Sequence, residues 1–155
     1  MSNLLTAAGW GDKYINLAKE ISTWSKDPST KVGAIVVGCD GQILSQGYNG
    51  FPRGINDSDE RLNNRERKYE LVVHAEMNAI YNASLTGVSL KDSTLYVYGL
   101  PICNECAKGI IQVGIKKVIA LRPEKYNIAW EESANNARNL FSEADVMYLI
   151  DIEED

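Results

Sequence analysis

The pattern of apolar and polar residues predicts four helices and five strands in the order α-β-β-α-β-α-β-α-β. Between residues 11 and 25, apolar side chains recur every three or four positions, which is the spacing of one helix face. Residues 32–37 form a nearly continuous apolar, β-branched run, typical of a strand covered on both faces. The other predicted helices are 74–84, 103–113 and 130–143, and the other predicted strands are 43–46, 94–98, 117–121 and 146–150.

Turn residues separate these elements and set the expected architecture. Asp40-Gly41 is a hairpin signal between the first two strands, and Gly114 is placed to end the third helix. Strands that alternate with helices imply a mixed sheet packed between helices, so the expected fold class is α/β with three layers. A length of 155 residues fits one domain over residues 1–155.

The segment from residue 47 to residue 67 has no regular period and is rich in Gly, Asn, Asp and Arg. It is predicted to be an irregular loop, and loops of this length inside a domain are usually functional or disordered. Disorder of residues 55–66 is the alternative that the composition leaves open.

One histidine and two cysteines carry the main chemical signal. His74 is the only histidine in the chain, and Cys103 and Cys106 are two of its three cysteines. If Cys103 begins a helix, the i, i+3 spacing places both sulfurs on one face, and the helix N-terminus favours their thiolate forms. An imidazole and two thiolates suit zinc. Three protein ligands leave a fourth position for solvent, as in catalytic zinc sites.

Glu76 follows the histidine by two positions. On an ideal helix an i, i+2 pair points roughly 200° apart, so the spacing favours Glu76 as a neighbour of the site and not as a ligand. A carboxylate in that position can transfer protons as a general acid and base.

The segment HAE at 74–76, followed by PICNEC at 101–106, resembles the H-x-E…P-C-x-x-C signature of the zinc-dependent nucleobase deaminases. Four segments together resemble the deoxycytidylate (dCMP) deaminases: DPSTKVGA (27–34), GYNGFPRG (47–54), HAEMNAI (74–80) and CNECAK (103–108). One departure is Ile102, which separates the proline from the first cysteine. With one histidine and one spare cysteine, a second structural zinc, as in some phage relatives, is not expected.

The resemblance implies a cytidine-deaminase-like three-layer α/β/α sandwich with a five-stranded mixed sheet. It implies hydrolysis of dCMP to dUMP and ammonia, which would supply dUMP for thymidylate synthesis, with one catalytic zinc ion per chain held by His74, Cys103 and Cys106. Glu76 would carry the protons. The same catalytic core serves other substrates in related families, among them cytidine, dCTP, tRNA adenosine, guanine and pterin or flavin precursors.

The resemblance also implies substrate contacts. Asn49 matches a position that hydrogen-bonds the sugar, and the backbone at Ala75 matches a contact to the base. Lys31, Lys125 and Tyr126 are candidates for binding the 5′-phosphate. The alternatives are that Asn49 is a turn residue and that the other three are ordinary surface residues.

In dCMP deaminases the loop that matches 47–54 helps to form a second nucleotide site, where dCTP activates and dTTP inhibits. Gly50, Arg53 and Gly54 are therefore expected on the regulatory side, where Mg²⁺ could accompany the triphosphate. Glycines allow close approach of a ligand to the backbone, and arginine suits phosphate oxygens. The alternative is that Arg53 is a solvated loop residue. Relatives are commonly hexamers, so a homo-oligomer is expected.

Composition narrows the partners and the compartment. A net charge of −5 and an acidic C-terminus argue against binding a polynucleotide backbone. No apolar run approaches the roughly 20 residues that span a bilayer, and residues 1–5 lack the features of a signal peptide. Three cysteines, two of them in Cys-x-x-Cys, argue for a reducing compartment, which predicts a cytoplasmic protein.

Two other readings of the cysteines remain open from the sequence. Cys103 and Cys106 could form a redox pair. Cys39 could be a fourth zinc ligand, which would close the site and make the protein a structural binding module with no catalytic role for Glu76.

Overall fold

The computed structural model describes residues 9–154, which are organised around a five-stranded sheet in the order β2-β1-β3-β4-β5. The first strand, β1, is antiparallel to both of its neighbours, whereas β3, β4 and β5 are mutually parallel. This mixed sheet confirms the predicted fold class. The strands are β1 (Gly33–Val37), β2 (Ile43–Tyr48), β3 (Thr94–Tyr98), β4 (Lys117–Arg122) and β5 (Met147–Ile152).

Six α-helices surround the sheet in the described residues: α1 (Trp10–Ser22), α2 (Asp59–Asn63), α3 (Arg65–Leu71), α4 (Ala75–Thr86), α5 (Asn104–Gln112) and α6 (Glu131–Glu143). A short 3₁₀ turn, Ile128–Trp130, precedes α6. Helix α1 packs on one face of the sheet, and α4, α5 and α6 pack on the other, which gives three layers.

Strand β1 explains the continuous apolar run because it is buried on both faces. Ile35 and Val37 pack with α1 in the smaller core, whereas Ala34 and Val36 pack with α4–α6 in the larger one. The β1–β2 connection is the predicted hairpin, with Gly41 at φ +85° and the Gly38 N–H donating to Gln42 O at 2.8 Å. The core therefore lies on both sides of the central strands, as the pattern predicts.

The prediction of an irregular loop over residues 47–67 is wrong for its second half, where α2 and the start of α3 lie. The side chain of Ser58 accepts a hydrogen bond from the Arg61 N–H, and that of Asn64 accepts one from the Arg67 N–H. Each is an N-cap that stabilises a helix start. The helices have 5 and 7 residues, too short for an apolar period to emerge, and they contradict the disordered alternative for 55–66.

Helix α4 also covers the free edge of the sheet. The amide of Asn78 donates to the carbonyl of Tyr48, and the amide of Asn82 donates to that of Gln46, each at 2.7 Å. Gly47 permits this close approach, because a Cβ there would lie 2.5 Å from the carbonyl oxygen of Ala75 and closer still to the amide of Ala79. Helix α4 is thereby held tightly against β2.

The expectation about a signal peptide concerns residues that lie outside the described part of the chain. Between residues 9 and 154, no helix has both the length and the apolar character needed to cross a membrane.

Candidate active site

Three side chains converge where α4 and α5 begin. His74 is the N-cap of α4, Cys103 is the N-cap of α5, and Cys106 lies in the first turn of α5. The Nδ1 atom of His74 is 3.3 Å from the Sγ atoms of both cysteines, and the three ligand atoms lie within 4.8 Å of one another. The packing of α4 against α5 brings the distant histidine to the cysteine pair.

This donor set fits a zinc ion. Zinc–nitrogen bonds of about 2.1 Å and zinc–sulfur bonds of about 2.3 Å, at a tetrahedral angle, separate nitrogen from sulfur by about 3.5 Å. The 3.3 Å separations at His74 are close to that value. Cys39 is exposed and its thiol donates to Asp92 O at 3.3 Å. Within residues 9–154 it does not join the cluster, so the four-ligand structural site has no support.

The pKa values of the two thiols are shifted in opposite directions. Cys103 has its pKa lowered to about 4, first because the Cys106 thiol hydrogen-bonds its sulfur and also because His74 does. The same hydrogen bond raises the pKa of Cys106, which is the donor. In turn, the hydrogen bond with Cys103 raises the pKa of His74. The hydrogen bonds within the cluster thus favour the thiolate at Cys103, which is the form in which a cysteine binds a metal ion.

Glu76 lies in the first turn of α4 beside this cluster and is only 4% exposed. It is not one of the three clustered ligands. Burial raises the pKa of its carboxyl to about 7, while the positive charge of His74 acts to lower it. A buried carboxyl with such a pKa both accepts and donates protons near neutral pH.

A cavity of about 740 Å³ opens onto His74 and Glu76, a volume typical of small-molecule sites. Its walls come from the 27–32 segment, Asn49, the 65–76 segment, the end of β3 and residues 123–130. The lining residues are Asp27, Ser29, Thr30, Lys31, Val32, Asn49, Arg65, Lys68, Tyr69, Val72, His74, Ala75, Glu76, Tyr98, Gly99, Leu100, Pro123, Lys125, Tyr126, Asn127, Ala129 and Trp130.

All five residues assigned to the substrate line this cavity: Lys31, Asn49, Ala75, Lys125 and Tyr126. Lys31 donates to the carbonyl of Ser25, and Tyr126 donates to the carboxylate of Glu131. Lys125 is exposed, whereas Ala75 is fully buried. The cavity therefore brings the five together without assigning each one a contact.

The side chain of Asn49 joins two parts of the cavity wall. Its side-chain oxygen accepts the Val32 N–H at 2.9 Å, and its amide nitrogen donates to Thr30 O at 2.9 Å and to Asp27 Oδ2 at 3.4 Å. These bonds join the end of β2 to the 27–32 wall. Asn49 therefore shapes the cavity as well as lining it.

The residues assigned to regulation lie outside the cavity. Arg53 is exposed and donates to Asn82 on α4, and Gly54 has φ +81° in an open turn. Gly50 forms an isolated bridge with Val73, the residue before His74, through backbone bonds of 3.1 and 2.8 Å. Residues 50–54 thus lie outside the cavity, directly after Asn49, which lines it, and Gly50 joins them to the residue before His74.

Sequence reasoning missed several cavity residues. Arg65 lies in the segment 47–67 that the sequence predicts to be a loop, Lys68 and Tyr69 follow it without a predicted element, and Asp27 is singled out only as part of the DPSTKVGA segment. The N-caps of α2 and α3 were the available signal for this wall. Trp130, predicted only as a helix start, lies 5.7 Å from the His74 ring and donates to Pro101 O at 3.0 Å.

Comparisons of the sequence and of the structure with known proteins agree on one family. A sequence profile described as the cytidine and deoxycytidylate deaminase zinc-binding region matches residues 8–122. Deoxycytidylate deaminase of Homo sapiens is 41% identical over 144 residues, covering 90% of this chain and 78% of that protein.

Two solved structures are also similar. The dCMP deaminase of cyanophage S-TIM5 in apo form has a TM-score of 0.73 and 26% identity, over 94% of this chain and 99% of that one. The same enzyme in complex with dCMP and dUMP has a TM-score of 0.72 and 28% identity, over 90% and 95%. The chain belongs to the cytidine and deoxycytidylate deaminase family and is an enzyme of its hydrolytic class.

Proposed function

We propose that this enzyme hydrolyses dCMP to dUMP and ammonia. The observation that carries the proposal is the position of Glu76, a buried carboxyl at the edge of a nucleotide-sized cavity beside the His74, Cys103 and Cys106 ligand set. Relatives and structural neighbours that are named for dCMP support this choice of substrate over cytidine or dCTP. The dUMP formed would supply thymidylate synthesis.

The reaction replaces the amino group at C4 of cytosine with an oxygen from water. When bound to the three ligands, a zinc ion supplies a Lewis acid that lowers the pKa of a coordinated water toward ~7. The Glu76 carboxylate accepts a proton from the attacking water and donates one to N3 of the ring. Glu76 then carries the second proton of that water, from the new hydroxyl at C4, to the amino group; the C4–N bond breaks, ammonia leaves and a C4 carbonyl remains.

The proposed substrate contacts are made by residues that line the cavity. Asn49 is assigned to the sugar and the backbone at Ala75 to the base, because both residues line the same cavity as Glu76 and match these contacts in the family. Lys31, Lys125 and Tyr126 are assigned to the 5′-phosphate, which the two ammonium groups would neutralise. Each assignment is supported by the shared cavity and by the resemblance to the family.

One assay tests the substrate. Zinc-loaded protein with dCMP should lose the cytosine absorbance and release ammonia, and parallel runs with cytidine, CMP and dCTP measure specificity. The Glu76→Gln variant keeps the size of the side chain but cannot carry the proton. It should retain zinc and lose most turnover, by a factor of roughly 10²–10⁴ or more. Near-normal turnover of a zinc-loaded Glu76→Gln variant would exclude the role given to Glu76.

Regulation by dCTP as activator and dTTP as inhibitor is also proposed, with Gly50, Arg53 and Gly54 at the second site. The bridge from Gly50 to Val73 supports a link between that loop and the metal-binding wall. Within residues 9–154 no carboxylate cluster lies at the loop, so the proposal does not include Mg²⁺. The regulatory proposal is tested by measuring dCMP turnover at increasing dCTP or dTTP, in wild type and in Arg53→Ala. A wild type that responds to neither triphosphate would exclude the proposal.

We further propose that the single domain over residues 1–155 assembles into a cytoplasmic homo-hexamer. Exposed Tyr81 and Leu85 on α4 support assembly because they form an apolar pair one helical turn apart. The thiolate ligands support a reducing compartment. Light scattering coupled to size exclusion measures the mass, and a monomer at micromolar concentration would exclude the hexamer.

A further inference from the structure

A buried ion pair crosses the wall of the cavity at Lys68 and Asp27. The Lys68 ammonium lies 3.1 Å from Asp27 Oδ1, and the two side chains are only 8% and 9% exposed. Lys68 belongs to α3, whereas Asp27 lies in the segment between α1 and β1. Both side chains line the cavity.

The two partners differ in how completely their hydrogen bonds are used. Asp27 accepts from the backbone N–H groups of Ser29 and Thr30 at 2.8 and 3.2 Å, from Lys68, and from the Asn49 amide at 3.4 Å. Four donors satisfy a carboxylate. The ammonium of Lys68 has three N–H donors, but among residues 9–154 its only acceptor is Asp27 Oδ1. The centre of the Tyr69 ring also lies 6.0 Å from the ammonium. Two donors on this buried cation are therefore available to a ligand in the cavity, because buried donors are normally paired.

The surroundings of Lys68 indicate which part of a nucleotide would supply the acceptor. Arg65 lies one turn earlier on α3 and also lines the cavity, so this wall presents two cations. The wall is joined to Asn49 through Asp27. A pair of cations next to a hydroxyl-binding amide suits the oxygens of a sugar-phosphate and not the ring of a base.

We infer that Lys68 is a substrate-binding residue whose ammonium donates to an oxygen of the sugar-phosphate of the nucleotide. The inference rests on the proposed dCMP activity and adds a contact to it. Asp27 holds the cation in place, and the remaining N–H groups are available to a ligand oxygen, which is either a phosphate oxygen or the 3′-hydroxyl. Removal of Lys68 should therefore weaken binding more than it slows the chemical step.

The chain offers a matched control. Lys26, in the same α1–β1 segment as Asp27, and Asp57, in the loop before α2, form a second ion pair, also at 3.1 Å. Their side chains are 69% and 43% exposed, and neither lines the cavity. Lys68→Met should raise the KM for dCMP roughly 10- to 150-fold, the range for a lost hydrogen bond to a charged group. Its kcat should stay within about threefold, and Lys26→Met should change neither constant.

Three substrates identify the oxygen. If the contact is to phosphate, Lys68→Met is defective on dCMP and on 2′,3′-dideoxycytidine 5′-monophosphate, but not on deoxycytidine. If the contact is to the 3′-hydroxyl, the defect falls on dCMP and deoxycytidine, but not on the dideoxy nucleotide. Equal losses on all three substrates, or kinetics that match Lys26→Met, would overturn the inference.

A second variant separates binding from folding. Lys68→Met leaves the Asp27 carboxylate buried without its counter-charge, and this should destabilise the fold. The double variant Asp27→Asn/Lys68→Met removes that unpaired charge, so its Tm should recover while its KM stays raised. Recovery of KM together with Tm would show a purely structural lysine. Calorimetric binding of dUMP to wild type and Lys68→Met gives the comparison without turnover. A wild type that binds dUMP but does not deaminate dCMP would refute the proposed activity alone.

Discussion

The substitution Gly47→Ala tests how the position of α4 controls the active site. An added Cβ would lie 2.5 Å from Ala75 O and nearer to Ala79 N, both backbone atoms of α4. An ordinary contact needs about 1 Å more, and backbone atoms cannot rotate out of the way as a side chain can. Overpacking of this kind costs about 1–3 kcal/mol and occasionally more. At 3 kcal/mol, Tm should fall by roughly 6–12 °C in a chain of this size.

The same displacement of α4 should also move the catalytic groups, because α4 begins directly after His74 and carries Glu76 in its first turn. A shift of about 1 Å in a catalytic group can cost roughly 100-fold in rate. We therefore expect Gly47→Ala to lose both zinc affinity and turnover. Differential scanning fluorimetry, metal analysis and steady-state kinetics on dCMP measure the three effects.

Gly33→Ala is the matched control. Its Cβ would collide with α1, on the other face of the sheet, at the Ala18 carbonyl and 2.6 Å from Ser22 N. It should lower Tm but retain zinc and most turnover in the protein that remains folded. If Gly47→Ala kept the zinc, the turnover and the Tm of wild type, the tight contact between β2 and α4 would not hold the active site as described.

Three further predictions concern single side chains. Asn49→Ala removes the acceptor of the buried Val32 N–H and the donor to Thr30 O. It should lower kcat/KM on dCMP roughly 10- to 200-fold and should also lower Tm. A change in kcat/KM smaller than twofold would leave Asn49 as a turn residue only. Cys106→Ser should lose tightly bound zinc and turnover while the circular dichroism stays that of wild type. Cys39→Ser should keep one zinc per chain, and loss of zinc from that variant would reopen the four-ligand site.

The parts of the fold that the sequence predicts well are those where one property repeats over many residues. Buried β1 is apolar at nearly every position, and the histidine and cysteines of the metal site are so few that their spacing is informative. Helices α2 and α3 could not be found in this way because they are short and their buried side chains are few. Their N-caps, Ser58 and Asn64, were the only local evidence.

The cavity wall was harder to predict than the metal cluster for a physical reason. Lys68 and Asp27 are 41 positions apart, and neither side chain has a spacing that marks it as buried. A lysine in a polar segment is usually exposed, so only the packed structure distinguishes this one from the others. Pairs of this kind depend on tertiary contacts that no local pattern records.

The amides of Asn78 and Asn82 have a consequence for how copies of this protein meet. An open sheet edge is a template on which another chain can add a strand, and it is a common origin of aggregation. At β2 two carbonyls that such a strand would need are already occupied by α4. The opposite edge, β5, is followed by Glu153, which pairs with Lys19 at 2.9 Å, and by Glu154, whose charge would repel a second copy. Association through continuous sheets is therefore disfavoured at both ends, and copies of the chain are left to meet through their helical faces.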